Sequence, residues 1–214
     1  MKYYAVIDTN ILVSVLMSTH KGTAIDTIWN YVLKGTIIPM INDDILLEYS
    51  EVLHRDRFAF AKDIVDGTLS AMILRGRHFE RVASPTALPD PDDTVFYEVS
   101  LSRDDSYLIT GNLKHFPKNG RIVSPAEMVQ IIELSENNPG ILNDPSVDYM
   151  SNMKKNQLRD EQAIIEKARR VTEQIRAQAV LNGTSEMTLE EINEEIRKAR
   201  AERRARKEKE EKAL

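Results

Sequence analysis

The sequence contains no cysteine, a single tryptophan and no long apolar run. Without cysteine the chain forms neither disulfide bonds nor thiolate metal sites, which fits a reducing compartment. No apolar run reaches the ~18 residues that a membrane span needs, and Asp8 follows the N-terminus too closely for a signal peptide. The sequence therefore predicts a cytoplasmic protein without a membrane partner.

The composition is that of an ordinary globular protein. The 214 residues are 42% hydrophobic and 29% charged, so a packed core is expected. A chain of this length forms either one domain with an appended segment or two small domains.

Charge is divided unevenly along the chain. Residues 139–214 hold 16 Lys and Arg against 15 Asp and Glu, a net charge of +1, so residues 1–138 hold 13 against 19, a net charge of −6. Nucleic acids are bound largely through cations that displace their counterions. A body this acidic predicts that any reaction on RNA depends on a bound metal ion.

Short β-branched or aromatic runs alternate with helical patterns up to residue 135. Predicted strands cover residues 3–8, 36–41, 79–83, 107–110 and 121–124. Predicted helices cover residues 11–17, 23–33, 45–53, 61–77, 94–103 and 125–134. Asn42 is expected to cap the third helix, Gly35 to end the second, and Pro39 to occupy an edge or an end of its strand. The alternation predicts an α/β fold with a mainly parallel central sheet and helices on both faces.

After residue 135 the sequence changes character. Residues 136–140 break the preceding helix, and the polar residues up to 156 predict a linker or an extended arm. The predicted division is therefore a domain of residues 1–135, a linker of residues 136–156 and an all-α tail of residues 157–214.

Two amphipathic helices are predicted in the tail. The first has apolar or small residues at 164, 168, 171, 175 and 179 and ends at Asn182-Gly183. The second begins at a capping box of Thr188 and Glu191 and carries apolar or small residues at 189, 192, 196 and 199. The remaining residues lack such a stripe, so a solvated helix or a frayed end is expected.

Acidic and amide side chains fall at the predicted ends of strands. Asp8 closes the first strand, Asn112 follows the fourth, Glu48 lies on the helix after the second, and Asp92 and Asp93 precede the helix that begins at residue 94. Ligands of open parallel sheets bind beyond the carboxyl ends of the strands, so all five could converge. Such oxygen ligands suit Mg²⁺ or Mn²⁺, the cations that serve phosphodiester hydrolysis.

Each acid also has an alternative structural interpretation. Asp8 with the two residues after it could be no more than a helix cap, and Asp92 or Asp93 could cap the following helix. Glu48 by itself could be a solvent-facing helix acid.

Four segments that contain these residues resemble the successive motifs of the PIN-domain family, in its branch of toxins from type II toxin–antitoxin systems. They are Val-Ile-Asp8-Thr-Asn-Ile-Leu-Val-Ser, Leu-Leu-Glu48-Tyr-Ser-Glu-Val-Leu, Asp90-Pro-Asp-Asp93-Thr-Val-Phe and Tyr-Leu-Ile-Thr110-Gly-Asn-Leu-Lys-His-Phe-Pro, followed by Ile-Val-Ser-Pro-Ala-Glu. The resemblance covers residues 1 to about 135 in the family's order. It implies a three-layer PIN-like fold and a Mg²⁺- or Mn²⁺-dependent endoribonuclease with RNA as its substrate.

The resemblance also implies roles for individual residues. Asp8, Glu48 and Asp93 match the family's metal-binding acids, with Asp92 as the reserve for Asp93. Asn10 and Thr110 match the polar residues that support them.

The family's fourth acid falls on Asn112, which completes the implied catalytic set with Asp8, Glu48 and Asp93. An amide coordinates through its oxygen but brings no charge, so one metal position is expected to be weaker. Asp104 and Asp105 are close in sequence but lie on the far side of the strand.

Residues 182–204 resemble the C-terminal segment of the small antitoxins that neutralise such toxins. That resemblance implies an amphipathic helix in the toxin groove with a basic side chain among the catalytic acids. The candidates, unranked by the sequence, are Arg197, Arg200, Arg203 and Arg204. The alternative is a solvated helix whose apolar stripe only packs or dimerises.

Three hypotheses follow. The first is a ribonuclease held inactive by its own tail or by that of a neighbouring subunit in a homo-oligomer. The second keeps the enzyme and gives the tail a role in oligomerisation or RNA delivery. The third, motivated by Asn112, is a catalytically weakened module that binds RNA or protein.

Overall fold

The fold is described from a computed structural model of the full chain. The structure describes residues 1–18, 20–137 and 183–212, together with 162, 163, 165, 166, 169, 170, 172–174, 177 and 179–181. Within this described part, no helix combines the length and the hydropathy that a bilayer crossing requires.

A five-stranded parallel sheet forms the centre of the fold, in the order β3-β2-β1-β4-β5. The strands are β1 (Tyr3–Ile7), β2 (Ile37–Ile41), β3 (Arg77–His78), β4 (Ser106–Ile109) and β5 (Ile122–Val123). Helices flank the sheet, so the predicted α/β fold with a parallel sheet is confirmed.

The α-helices lie between the strands and after them. Those whose bounds lie within the described residues are α1 (Thr9–Met17), α2 (Ala24–Lys34), α3 (Asp43–Leu53), α4 (Lys62–Arg75), α5 (Thr94–Ser100), α6 (Pro125–Asn137) and α7 (Leu189–Glu211). Two short 3₁₀ helices, Pro91–Asp93 and Leu113–His115, precede α5 and follow β4.

Local sequence signals explain where several helices begin and end. The Thr23 side chain accepts a hydrogen bond from the Asp26 amide at 3.2 Å, and Gly35 ends α2 with a φ of 75°. Asn42 caps α3 by accepting a hydrogen bond from the Ile45 amide at 2.9 Å. The Asn42 cap and the Gly35 stop are as predicted.

The third strand and the fifth helix differ from their predictions. β3 covers Arg77–His78 rather than residues 79–83, because β2 ends at Ile41 and offers no further partner. The chain then leaves the sheet toward α5, and the Val82 amide donates to the Glu98 carbonyl at 3.1 Å. α5 ends at Ser100, short of the predicted residue 103.

Pro39 is the middle residue of β2, which is an interior strand, so the expected position at a sheet edge or a strand end is wrong. The Ile41 carbonyl faces β3, since it accepts from the Phe79 amide at 2.9 Å, and Pro39 faces the same side two residues earlier. Because β3 pairs only with the last two residues of β2, the missing N–H of Pro39 costs no ladder bond.

The C-terminal helix α7 packs against α1 and α3 of the body. Its predicted stripe residues Ile192, Ile196 and Ala199 are buried in the same hydrophobic cluster as the body's core. The predicted capping box is present, because Thr188 accepts from the Glu191 amide and its own amide donates to the Glu191 carboxylate at 2.8 Å.

The rest of the predicted tail is described only in part. Described residues between 162 and 181 are helical, and Ala179 is buried, whereas positions 164, 168, 171, 175 and 182 lie outside the described residues. Gly183 has a φ of 66°, as expected for a residue that ends a helix. Residues 136 and 137 belong to α6, and the rest of the predicted linker also lies outside the described residues.

Candidate active site

Asp8 lies at the carboxyl end of β1, beside the end of β4. Ile7 and Ile109 are partners in the sheet, so Asp8 and Thr110 leave it side by side. The Thr110 hydroxyl donates to Asp8 Oδ2 at 2.6 Å, and the Asn10 amide donates to the same oxygen at 2.8 Å. Asn10 Oδ1 in turn accepts from the Gly111 amide at 3.1 Å. Asn10 and Thr110 therefore orient the Asp8 carboxylate.

Glu48 is buried on α3, with a relative exposure of 1%. The Thr9 hydroxyl donates to its Oε1 at 2.8 Å, which ties α3 to the first turn of α1. The interpretation of Glu48 as a solvent-facing acid is therefore wrong. The parallel strands β1 and β2 bring their following helices together at one edge, and this turns Glu48 inward.

Asp8 and Asp93 occupy N-cap positions of α1 and α5, but neither side chain makes a capping hydrogen bond. Asp93 is buried, and its Oδ2 lies 2.9 Å from Nδ1 of His115. The side chains of Asp8 and Asp93 are thus free of the capping role that their positions allow.

The acids are close enough to affect one another. Burial, followed by the negative charge of Asp93, raises the pKa of Asp8 from 3.8 to about 6. Hydrogen bonding by Thr110 and the charge of Arg200 act in the opposite direction. Negative charge in this site is therefore costly unless a cation is present.

Asn112 also reaches the site but is engaged by the tail. The side-chain oxygen Oδ1 of Asn112 accepts a hydrogen bond from the Asn193 side chain of α7 at 3.1 Å. The backbone N–H of Asn112 donates to the Thr110 hydroxyl at 2.9 Å. Asp105 lies directly before β4 and pairs with Arg103 at 2.8 Å, at the opposite end of the strand from the site.

Two further side chains join the acids. Asp90, Asp93 and His115 each offer a ligand atom, and these atoms all lie within 4.8 Å of one another. No role in the site was predicted for Asp90 or His115 from the sequence. The available signal was their spacing, since Asp90 begins the Asp-rich motif and His115 follows Asn112 by three residues.

Arg200 of α7 lies among these acids, with 4% of its side chain exposed. Its Nη2 is 2.8 Å from Glu48 Oε1 and its Nε is 3.2 Å from Glu48 Oε2. Its Nη1 donates to Asp93 Oδ1 at 2.8 Å and to Asp90 Oδ2 at 3.0 Å. Burial by itself lowers the pKa of Arg200. The negative charges of Glu48, Asp93 and Asp8 outweigh that effect, so the pKa of Arg200 is raised above its usual value. One guanidinium therefore neutralises much of the acidic cluster.

The other candidate arginines lie nearer the rim. Arg203 Nη2 is 3.0 Å from Glu48 Oε2, and Arg203 also pairs with Glu51. Arg204 pairs with Asp92, so Asp92 faces the rim and Asp93 faces the centre. Arg197 is exposed and lines the edge of the site.

The helical register explains this ranking. Arg200 and Arg203 follow Ile196 by four and seven residues and continue the buried face of α7. Arg197 follows Ile196 directly and points away from that face. The periodicity of the apolar stripe was therefore a signal that could have ranked the four arginines.

A small cavity of about 110 Å³ remains between the body and α7. Asp8, Asp93, Asn112 and His115 line it from the body, and Asn193 is among the residues that line it from α7. Its carboxylate and amide oxygens and the imidazole of His115 suit a divalent cation of the Mg²⁺ or Mn²⁺ type, once the Arg200 guanidinium has left the site.

A family model described as PIN domain matches residues 4–114, which is just over half of the chain. This range contains Asp8, Glu48, Asp93 and Asn112, and it ends before α7. Neither the search of curated proteins nor the search of solved structures found a match.

Proposed function

This chain belongs to the PIN-domain family, and from that premise we propose that it is a Mg²⁺- or Mn²⁺-dependent endoribonuclease of the toxin type, inhibited by its own C-terminal helix. The family implies a nuclease-type function and a divalent metal. The proposal adds RNA as the substrate, the identity of the site residues, and the inhibition by α7.

The observation that carries the proposal is the position of Arg200. Its guanidinium contacts Glu48 and Asp93 at 2.8 Å each, and these are two of the three acids proposed to bind the metal. Glu48 is 1% exposed and Asp93 is 4% exposed. A metal ion cannot share those oxygens with Arg200, so the tail helix and the cofactor compete for one site.

Asp8, Glu48 and Asp93 are the residues that would hold the cation. When bound, the cation supplies positive charge that makes water a better nucleophile and stabilises the charge that develops on a phosphodiester. Asn10 and Thr110 keep Asp8 oriented through bonds of 2.8 and 2.6 Å. The raised pKa of Asp8 supports a site built to receive a cation.

The covering helix also excludes the substrate. α7 buries Ile192, Ile196 and Ala199 against the body beside the acids. A nucleic-acid strand has to approach the same edge, where the body offers mainly negative charge. Release of α7 is therefore required before RNA enters. The helix acts on its own body or, in a homo-oligomer, on that of a neighbour, with the same contacts.

The proposal is tested with full-length variants. Arg200→Ala removes the competing cation, and we expect cleavage of a structured RNA in Mg²⁺ or Mn²⁺ to rise about tenfold or more, because the open state becomes populated. Asp8→Asn added to Arg200→Ala should abolish the gain. Lys207→Ala, an exposed change on the same helix, is the control that should behave as wild type.

Either of two outcomes contradicts the proposal. Equal RNA cleavage by wild type and Arg200→Ala would exclude inhibition by the tail. Absence of cleavage in every variant would instead favour a catalytically weakened module that binds RNA or protein. That alternative is supported by Asn112, which brings an uncharged amide to the position of the fourth acid. A tail that serves oligomerisation predicts a change of molecular mass in Arg200→Ala without a gain in activity.

A further inference from the structure

A nitrogen ligand lies at the edge of the acidic cluster. His115 Nδ1 is 2.9 Å from Asp93 Oδ2, and its side chain is 28% exposed, so the ring reaches the site without being enclosed by it. His115 belongs to the 3₁₀ helix Leu113–His115, directly after Asn112. The loop that lacks the fourth acid therefore supplies an imidazole a few residues later.

Asp90 is oriented toward the same point. Its Oδ1 accepts from the Asp92 amide at 3.0 Å, which fixes the carboxylate and leaves Oδ2 directed at the cluster. Oδ2 is the oxygen that accepts from Arg200 Nη1 at 3.0 Å. Asp90 is thus held in place by its own backbone turn before any cation arrives.

A cationic group already lies between these acids. Arg200 Nη1 is shared by Asp90 and Asp93, at 3.0 and 2.8 Å. This nitrogen marks a position in the cluster where two carboxylates together stabilise positive charge. From there, ligand atoms of Asp90, Asp93 and His115 converge to within 4.8 Å of one another.

The remaining candidate for the fourth position is poorly suited. Asn112 Oδ1 accepts from Asn193 at 3.1 Å, and an amide oxygen carries no charge. An imidazole is a stronger ligand than an amide for Mn²⁺ and later transition metals, whereas Mg²⁺ prefers oxygen and a nearly ideal octahedron.

We propose that His115 and Asp90 are direct ligands of the divalent cation, together with Asp93, and that His115 makes the site selective for Mn²⁺ over Mg²⁺. The inference rests on the proposed function, because it concerns the same metal site. His115 Nδ1, which lies 2.9 Å from Asp93 Oδ2, is the nitrogen that would coordinate the cation beside that carboxylate.

The test uses the full chain with Arg200→Ala, so that no guanidinium fills the site. Mn²⁺ binding is titrated by electron paramagnetic resonance, and electron spin-echo modulation reports whether a ¹⁴N nucleus is bound to Mn²⁺. Mg²⁺ is then titrated as a competitor. The test variant is His115→Ala. The matched control is His78→Ala, since His78 also lies beside two acids, Asp43 and Glu80, at 3.8 Å.

We expect a ¹⁴N coupling that persists in His78→Ala and disappears in His115→Ala. Mn²⁺ affinity should fall roughly tenfold in His115→Ala, with a smaller change for Mg²⁺, so the preference for Mn²⁺ declines. Asp90→Asn should weaken both cations, because it removes charge and not nitrogen.

Failure of this inference differs from failure of the proposed function. Mn²⁺ binding without ¹⁴N coupling, unchanged in His115→Ala, overturns the role of His115 and leaves the metal site intact. Absence of Mn²⁺ binding, or binding that survives Glu48→Gln, overturns the metal site itself. If Arg200→Ala does not fold, as judged by circular dichroism, Arg200→Gln replaces it in the same measurements.

Discussion

Arg55 of the body and Glu195 of the tail helix α7 form an ion pair, with Arg55 Nε 3.0 Å from Glu195 Oε2 and both side chains largely buried. Arg55 also reaches Glu202 at 3.0 Å. This pair has the opposite polarity to that of Arg200 and Glu48, because here the body is cationic and the tail anionic. Contacts of both polarities on one helix fix its register along the body.

Reversal of the Arg55 charge should detach α7. Arg55→Glu places an acid beside Glu195 and Glu202, so amide hydrogen exchange in α7 should rise and RNA cleavage should increase. Adding Glu195→Arg and Glu202→Arg should restore slow exchange. Lys62→Glu, the same charge change on α4, is the control and should leave hydrogen exchange in α7 unaltered. If Lys62→Glu accelerates this exchange as much as Arg55→Glu does, net charge, and not the Arg55–Glu195 pair, holds the helix.

Arg200→Ala should lower stability most when divalent metal is absent. The change leaves Glu48 and Asp93 buried without their cation, and we expect a loss of about 3 kcal/mol in the free energy of unfolding in EDTA. Mn²⁺ above its dissociation constant should recover part of the loss, because it binds the folded state. Chemical denaturation with and without Mn²⁺ measures both effects, and Lys207→Ala, an exposed change, should cost less than ~0.5 kcal/mol. A loss that Mn²⁺ does not reduce would argue against a metal site at these acids.

Asp8→Asn should stabilise the metal-free chain at neutral pH. The folded-state pKa of Asp8 is about 6, above its usual 3.8, so the folded protein binds this proton more tightly than the unfolded chain does. The contribution of Asp8 to the free energy of unfolding is therefore present at low pH and is lost as the pH rises through about 6. The advantage of Asp8→Asn should reach up to about 3 kcal/mol at pH 7.5 and shrink toward pH 4. Denaturant titrations of both proteins in EDTA across this range measure it, and a pH-independent difference would contradict the raised pKa.

Thr188→Ala should weaken the start of α7. Thr188 accepts from the Glu191 amide at 3.3 Å and its amide donates to Glu191 at 2.8 Å, so the substitution removes one half of the capping box. We expect a loss of about 1 kcal/mol in helix stability. Hydrogen exchange in the first turn of α7 should accelerate, whereas Thr188→Ser should preserve the slow exchange. If Thr188→Ser exchanges as fast as Thr188→Ala, the hydroxyl is not what holds this turn.

Much of the fold was predictable because its signals are local. Asn42, Gly35, Thr188 and the stripe of Ile192 and Ile196 act within a few residues of their own positions, and the structure has each of them as predicted. β3 was misplaced because its two residues are defined by the end of β2, which lies over thirty residues earlier in the chain.

The sequence by itself determined which side chains stand at the strand ends, since the alternation of strands and helices puts Asp8 and Thr110 at one edge of a parallel sheet. The tertiary structure decided which partners those side chains meet. It buried Glu48, turned Asp93 away from a capping role, and placed Arg200 against both acids, because burial and charge pairing depend on how α3, α5 and α7 pack together. Residues distant in sequence acquire their electrostatic environment only when the packed helices exclude water from between them.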